Sequence, residues 1–346
     1  MKKVVVIGGG TGTSMVLSSL KGLKGIDLSA IISVADSGGS TGRLRDEFGF
    51  QPVGDLRQAL AALAEQQVQS STPKGGQAKF KVQSRNTNNN WIRKLLLYRF
   101  SKGEGLTGHN LGNLILTALQ DMTGSTAKAI GVASKIFRLQ GHIYPITTKP
   151  VNLVIEYSDG TVEIGEHILD DTDKHGGDRI IGIKTSPRAE IYKQAKIAIE
   201  NSSVIIIGPG DLYGSIMPNL VINGVDKAIK LSRAKLVFIM NLMTRYTQTH
   251  NMTAANHLEV IEKQIRRKFD AVIANNGIIP VKILTAYREQ HEYPVVDDLK
   301  NDKARKIIRA NLIKFTLTKQ HLSDTVHRSY LRHDPLKLRL VLNKLI

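Results

Sequence analysis

Seven segments of this chain gather glycines, hydroxyls, amides, carboxylates and guanidinium groups of the kind that hold phosphorylated ligands. The first is Gly8-Gly9-Gly10-Thr11-Gly12-Thr13-Ser14. Its glycines let backbone amides approach an anion closely, and a helix beginning there would turn its positive end toward the same anion. Gly9, Gly10, Thr11, Gly12 and Thr13 are therefore candidate ligand contacts, with a structural tight turn as the plainer alternative. It is not the dinucleotide fingerprint, because Thr13 stands in place of the third glycine, and no Gly-Lys-Ser/Thr closes a Walker loop.

The second segment, residues 35–45, reads as a loop that joins Asp36 to Ser37, Gly38, Gly39, Ser40, Thr41, Gly42, Arg43 and Arg45. One carboxylate, three hydroxyls and two guanidinium groups suit a phosphate accompanied by a divalent cation on Asp36. A solvated Gly/Ser turn is the alternative. The third, Pro52-Val53-Gly54-Asp55-Leu56-Arg57, offers Asp55 as a helix cap or ligand contact. Arg57 lies further into that helix and would face the crevice of Arg43 and Arg45 or pair with an acid.

The fourth segment is Gly108-His109-Asn110-Leu111-Gly112-Asn113-Leu114. Asn110 and Asn113 share a helix face and can hydrogen-bond a ligand. His109 is a candidate general acid or base, against the plainer reading of a satisfied buried histidine. The fifth, residues 208–219, carries Gly210, Asp211, Tyr213 and Ser215 but no Gly-x-Ser-x-Gly elbow. The sixth, Asn241-Leu242-Met243-Thr244, would add an amide and a hydroxyl. The last, Arg332-His333-Asp334-Pro335, offers Arg332 to a phosphate, while His333 and Asp334 could ligate a metal only with distant help.

The elements between these segments must bring them together. Apolar runs at residues 4–7, 28–34, 204–207, 236–240 and 271–274 read as buried strands that stop at glycine- or amide-rich loops. Helical patterns follow at residues 54–64, 91–100, 110–120, 126–139, 187–201, 220–231 and 253–269. Residues 144–148, 151–157 and 161–164 read as short strands, the last two joined by a turn at Asp159-Gly160. Residues 67–90 read as a polar loop, lid or insertion. The fold class is α/β: a Rossmann-like, doubly wound, mostly parallel sheet with a small inserted β-rich subdomain. Residues 1–140 form its N-terminal part, 141–184 the insertion, and 185–346 the rest of the core with a basic C-terminal segment.

Composition narrows the function classes. There is no cysteine, so disulfides and thiolate sites are excluded. Residues 4–7 are too short an apolar run for a signal peptide, and no run reaches the roughly 20 residues of a membrane span. A cytoplasmic protein without membrane insertion is expected. The net charge of +18 suits nucleic acid or polyanionic small ligands, but aromatics are only 5 % and no aromatic-interleaved basic stripe occurs. A phosphorylated metabolite is the stronger expectation.

Taken in order, these seven motifs resemble the CofD-like superfamily across nearly the whole chain, and specifically its bacterial YvcK branch, the gluconeogenesis-factor group. The resemblance implies a Rossmann-like core and a homodimer. The superfamily's enzymes, the 2-phospho-L-lactate transferases, pass a lactyl-phosphate group from a guanosine-containing donor with magnesium, and Asp36 matches the acid associated with metal and phosphate. The branch looks instead like a binder of UDP-sugars such as UDP-N-acetylglucosamine, with regulatory links to carbon metabolism and cell shape. Tyr287 and Arg332 are the matches implied for its nucleotide-sugar-binding tyrosine and arginine. The chain departs from the branch at several places. Asp36-Ser37 replaces two adjacent aspartates, and Asp211 stands where serine is usual. Asn110 follows the Gly-His pair where serine is usual, and Arg245 begins a stretch usually read Gln-Pro-Gly-Glu-Thr. A dehydrogenase reading is disfavoured by the first loop.

Overall fold

A computed structural model describes residues 1–65, 90–301, 305–314 and 330–346. The polar insertion expected at 67–90 lies almost entirely outside the described residues. The first half runs β1 (Lys2–Gly8), α1 (Gly10–Leu20), β2 (Ile26–Ile32), α2 (Gly39–Phe48), α3 (Gly54–Leu63), α4 (Trp91–Leu97), α5 (Leu111–Thr123), α6 (Thr126–Ile136) and β3 (His142–Pro145). Then come β4 (Asn152–Tyr157), β5 (Val162–Ile164), α7 (Thr172–His175), β6 (Ile180–Ser186), α8 (Lys193–Glu200) and β7 (Val204–Ile207). The remainder is α9 (Met217–Leu220), α10 (Val225–Leu231), β8 (Lys235–Ile239), α11 (Ala254–Ile265), β9 (Ala271–Asn275), α12 (Val281–Arg288), β10 (Lys306–Ala310) and α13 (Pro335–Leu345).

Seven strands form one sheet in the order β10-β9-β8-β7-β1-β2-β3, with every neighbouring pair parallel. Its central strands are runs of Val, Ile, Leu and Phe because helices cover both faces, and Val4 to Ile7, Val204 to Ile207 and Leu236 to Ile239 are all buried. The chain steps outward from β1 through β2 to β3, then returns beside β1 as β7 and steps the other way. The order therefore reverses between β1 and β7. In an open α/β sheet the crevice beyond the strand ends at such a point is where ligands bind.

A separate antiparallel sheet, β5-β4-β6, is inserted between β3 and β7. The expected hairpin is present, and the Asp159 carboxylate closes its turn by accepting from Thr161 N at 2.9 Å. The strand expected at 144–148 is placed elsewhere: β3 pairs parallel with β2 at the edge of the main sheet. Strand β6, which carries no clear alternation in its burial, was not expected from the sequence. Residues 35–45 are only half loop, because α2 starts at Gly39. The helix expected at 187–201 begins at Lys193, and that at 220–231 is split at Gly224, whose φ of +90° interrupts the helix between α9 and α10.

The two halves of the sheet are locked together at the reversal point by backbone contact. The first turn of α1 lies against the loop after β7 so closely that a Cβ on Gly12 would collide with the Pro209 carbonyl. Gly12→Ala should therefore lower the unfolding free energy by about 1–3 kcal/mol, the usual range for overpacking. An unchanged urea midpoint would show that the two loops can part.

Candidate functional site

The reversal point opens into a crevice walled by the loops after β1, β2, β7 and β8. Three helices begin at it. The N-caps of α1, α2 and α3 are Gly9, Gly38 and Val53, and none supplies a side-chain cap. Asn110, Ser125, Thr253 and Asp334 do accept from the first amides of α5, α6, α11 and α13, whereas α8, α10 and α12 also lack side-chain caps. First-turn amides without caps, together with the positive helix ends, form a place for ligand oxygens. Two protein carboxylates already lie close. Asp36 accepts from Gly38 N at 3.0 Å and crowds Gly54, and Asp55 crowds Gly9.

Guanidinium groups and carboxylates alternate around the rest of the wall. Arg57 donates through Nε to Asn113 Oδ1 at 2.7 Å, which fixes a buried cation beside Ser40 and Thr41. Arg99 and Arg332 also line the wall. Arg245 is buried among three carboxylates: Asp170 at 2.7 Å, Glu292 at 3.4 Å and Asp211 at 3.9 Å. Burial alone would lower the pKa of this guanidinium, but Asp211, Glu292 and Asp170 more than reverse that and hold it charged. Glu166 is half-buried near Asp36, Asp170 and Asp55; desolvation first, and then those neighbours, push its carboxyl well above the ordinary value. Burial pushes Glu292 up to about 7 against the opposing pull of Arg245.

The crevice unites most of the candidates: Gly9, Gly10, Thr11, Gly12, Asp36, Gly38, Ser40, Asp55, Arg57, Asn113, Gly210, Asp211, Ser215, Asn241, Thr244, Tyr287 and Arg332. Others stand behind it. Helical spacing in α2 turns Ser40, Thr41 and Leu44 inward, which leaves Arg43 exposed and bonded to Thr107 O, and Arg45 bonded to Asn152. His109 does not line the crevice; its Nδ1 lies 3.3 Å from Ser40 Oγ, so it supports a wall hydroxyl from behind. Burial first, and then Arg43 and Arg99, lower its pKa and favour the neutral ring, although Glu47 pulls the other way. Asn110 is an N-cap, bonded to Gly112 N at 2.9 Å, and Asp334 is the cap of α13 rather than a metal ligand. Thr13 and Tyr213 are buried beside the crevice, and neither they nor Gly39 is a wall residue. Ser37 instead ties down the insertion: its Oγ accepts from His167 N at 3.0 Å.

Glu166, Asp170, Arg99, Glu292 and the wall role of Arg245 and His333 were missed. Glu166 and Asp170 sit on a 3-10 turn of the insertion with no motif around them. The one available signal was Arg245, which extends the Asn241–Thr244 stretch and departs from the expected glutamine. Among the described residues, no three His, Asp or Glu side chains are arranged to hold a metal by themselves. No helix among them is long and apolar enough to cross a membrane.

Comparison with known proteins agrees with this architecture. A family model described as 2-phospho-L-lactate transferase CofD matches residues 4–313. A candidate gluconeogenesis factor of Aquifex aeolicus is 38% identical over 353 residues, spanning 100% of this chain and 98% of its own. The gluconeogenesis factor of Bacillus subtilis is 33% identical across 99% of this chain and 98% of its own. A crystallographically solved Bacillus halodurans protein of the UPF0052 family is similar with a TM-score of 0.81 and 30% identity, covering 99% of both chains.

The Glu292 carboxyl gives the site a pH signature. An unfolded glutamate releases its proton near 4.5, whereas the folded one holds it to about 7. Between those values the folded state binds more protons, so this group's contribution to stability falls as pH rises. In urea unfolding across that window, Glu292→Gln should show a less negative slope than the parent chain. Identical slopes would mean that Glu292 titrates as an ordinary carboxyl.

Proposed function

The chain belongs to the CofD family, in its gluconeogenesis-factor group, and from that premise we propose that the crevice binds a nucleotide-sugar of the UDP-N-acetylglucosamine type. On this reading the protein is a cytoplasmic, homodimeric regulator linked to carbon metabolism and cell shape. The observation that carries the binding step is the convergence of the α1, α2 and α3 starts, without side-chain caps, on one crevice at the sheet's reversal point. Phosphate oxygens suit those amides and the guanidinium groups of Arg57 and Arg332. The carboxylates of the same wall suit sugar hydroxyls, which can donate to them. A bare polyanion would be repelled by Asp36, Asp55 and Asp211, so a ligand carrying both phosphates and hydroxyls fits better.

Calorimetry with UDP-N-acetylglucosamine tests this directly. Arg332→Ala removes a charge-assisted contact of about 1.5–3 kcal/mol, so affinity should fall by about tenfold or more. No heat with the parent chain, and no protection from thermal unfolding by any uridine nucleotide, would sink the reading. Light scattering checks the dimer.

A second reading is favoured by the crowding of Asp36 and Glu166: a magnesium-dependent transferase that passes a phosphate-containing group from a nucleotide-activated donor. Magnesium commonly takes one or two carboxylates together with substrate phosphates, and Asp36 with Glu166 fits that need. Bound there, the ion would neutralise phosphate charge. This chain's own residues would orient the donor through Arg57 and the α1 amides. His109, behind Ser40, would act as a positioning residue. If transfer occurs, Asp36→Asn should abolish turnover while leaving the unfolding midpoint within the normal range for a wall residue. Turnover that survives the change rules this reading out.

A further inference from the structure

All seven strands of the main sheet run parallel, so their starting ends lie together at the edge opposite the crevice. The register keeps these starts nearly level: Lys2 pairs with Ile26, Val204 with Lys235 and Ala271 with Lys306. Exposed bases stand along this edge. Lys3 lies at the start of β1, Lys24 precedes β2, Arg233 precedes β8, Lys268 precedes β9 and Lys306 opens β10. Lys135 and Arg138 come just before β3. Strand β7, which follows Glu200, is the gap in the row. Neighbouring strands are ~4.8 Å apart, so the row extends over roughly 30 Å.

Cations at helix ends have an ordinary use. Helices α1, α6, α10 and α11 finish at this edge, and basic side chains offset their negative ends. Other residues serve that purpose here. Lys21 donates to Ala64 O at 3.0 Å, Arg339 to Lys21 O at 3.1 Å, and Arg267 to both Ile229 O and Ser232 O. The acids of the edge are engaged as well: Asp27 lies 3.5 Å from His142, Asp270 lies 3.2 Å from Arg267, and Glu262 holds Arg305. The side chains of Lys3, Lys24, Arg233, Lys268 and Lys306 make no hydrogen bond or ion pair among the described residues. The fold does not consume their charge.

Apolar side chains stand among the bases in a repeated pattern. Helix α10 ends in Lys230-Leu231-Ser232-Arg233, with Leu231 75 % exposed. Helix α6 ends in Lys135-Ile136-Phe137-Arg138, with Ile136 58 % exposed. One lies ahead of β8 and the other ahead of β3, on either side of the centre of the row. Nucleic acid would suit the charge but not the remainder. Base stacking needs exposed aromatic rings. Phe269 is buried, Phe137 is half-buried, and the exposed Tyr293 pairs with Thr244 beside the crevice. An anionic bilayer asks for long flexible cations on a flat face, with apolar side chains between them.

We propose that this edge docks on a bilayer surface rich in anionic headgroups, with Leu231 and Ile136 entering between the headgroups and the crevice facing away from the lipid. Attachment of this kind is peripheral and needs no membrane-spanning helix. It is independent of the nucleotide reading, because edge and crevice lie at opposite ends of the strands.

Sedimentation with vesicles tests it. The full chain should pellet with phosphatidylcholine vesicles containing about one-third phosphatidylglycerol, and stay in solution with phosphatidylcholine alone. Raising the salt from about 0.1 to about 1 M should weaken the partition at least about tenfold. Combining Arg233→Glu, Lys268→Glu and Lys306→Glu should lower it by about a hundredfold at low salt. Combining Leu231→Ser with Ile136→Ser should lower it by about tenfold and leave the salt dependence in place. Equal pelleting with both kinds of vesicle overturns the proposal, and that comparison needs no variant. Either variant binding as well as the parent chain overturns it too. If the chain retards duplex DNA or RNA on a gel yet ignores both vesicles, the edge reads nucleic acid and the proposal falls.

Discussion

The Arg245 guanidinium is the interaction on which the crevice depends. It sits where three parts of the chain meet. Asp170 comes from the inserted subdomain, Asp211 from the loop after β7, and Glu292 from just beyond α12. The neighbouring bonds Thr247 Oγ1 to Leu169 O and Gly177 N to Tyr246 O hold the insertion against the same stretch. Removing a cation from water is costly, and one carboxylate seldom compensates. Three partners do so here, Glu292 buried and Asp170 and Asp211 half-exposed, which is why the guanidinium stays charged. The insertion is thus held to the core through the wall of the binding crevice.

That arrangement also decides what kind of ligand the crevice favours. Its phosphate-seeking features are backbone features: the starts of α1, α2 and α3, whose N-cap residues supply no side-chain cap of their own. Its side chains are mixed in sign. Asp36 and Asp55 lie against those same helix starts, and Glu166 is driven toward its neutral form by burial and by their proximity. A wall of this kind is not a general anion trap, even in a chain of net charge +18. On the proposed reading it favours ligands that carry both phosphates and hydroxyls.

Much of the fold was legible because it rests on local rules. The buried strands β1, β7, β8 and β9 are short unbroken apolar runs ended by glycine or asparagine, and they stand within a residue or two of where the pattern puts them. Strand β3 was misplaced because a short strand at a sheet edge looks the same as one in a small antiparallel sheet; only its pairing partner separates the two. Arg43 and Arg45 were expected in the crevice because residues 35–45 read as one loop. Once α2 begins at Gly39, helical spacing sends Ser40 and Thr41 inward and the arginines elsewhere. Asn110 looked like a ligand contact, but an amide at a helix start serves its own first turn first.

The sequence by itself determined the strand-and-loop rhythm, the positions of the glycines and the class of fold. These follow from side-chain branching, turn preference and the period of the apolar residues, all of which act over a few neighbours. It also marked Arg57, Asn113, Asn241 and Arg332 as crevice residues through the motifs that carry them. Only the tertiary structure decided that Glu166, Asp170, Arg245, Glu292 and His333 belong to the same wall. Their roles come from burial and from partners far away in the chain: a carboxyl becomes hard to ionise, a guanidinium is caged, and an imidazole nitrogen is buried without a partner among the described residues. None of these properties is local, because each depends on what the folded chain has packed around the charge.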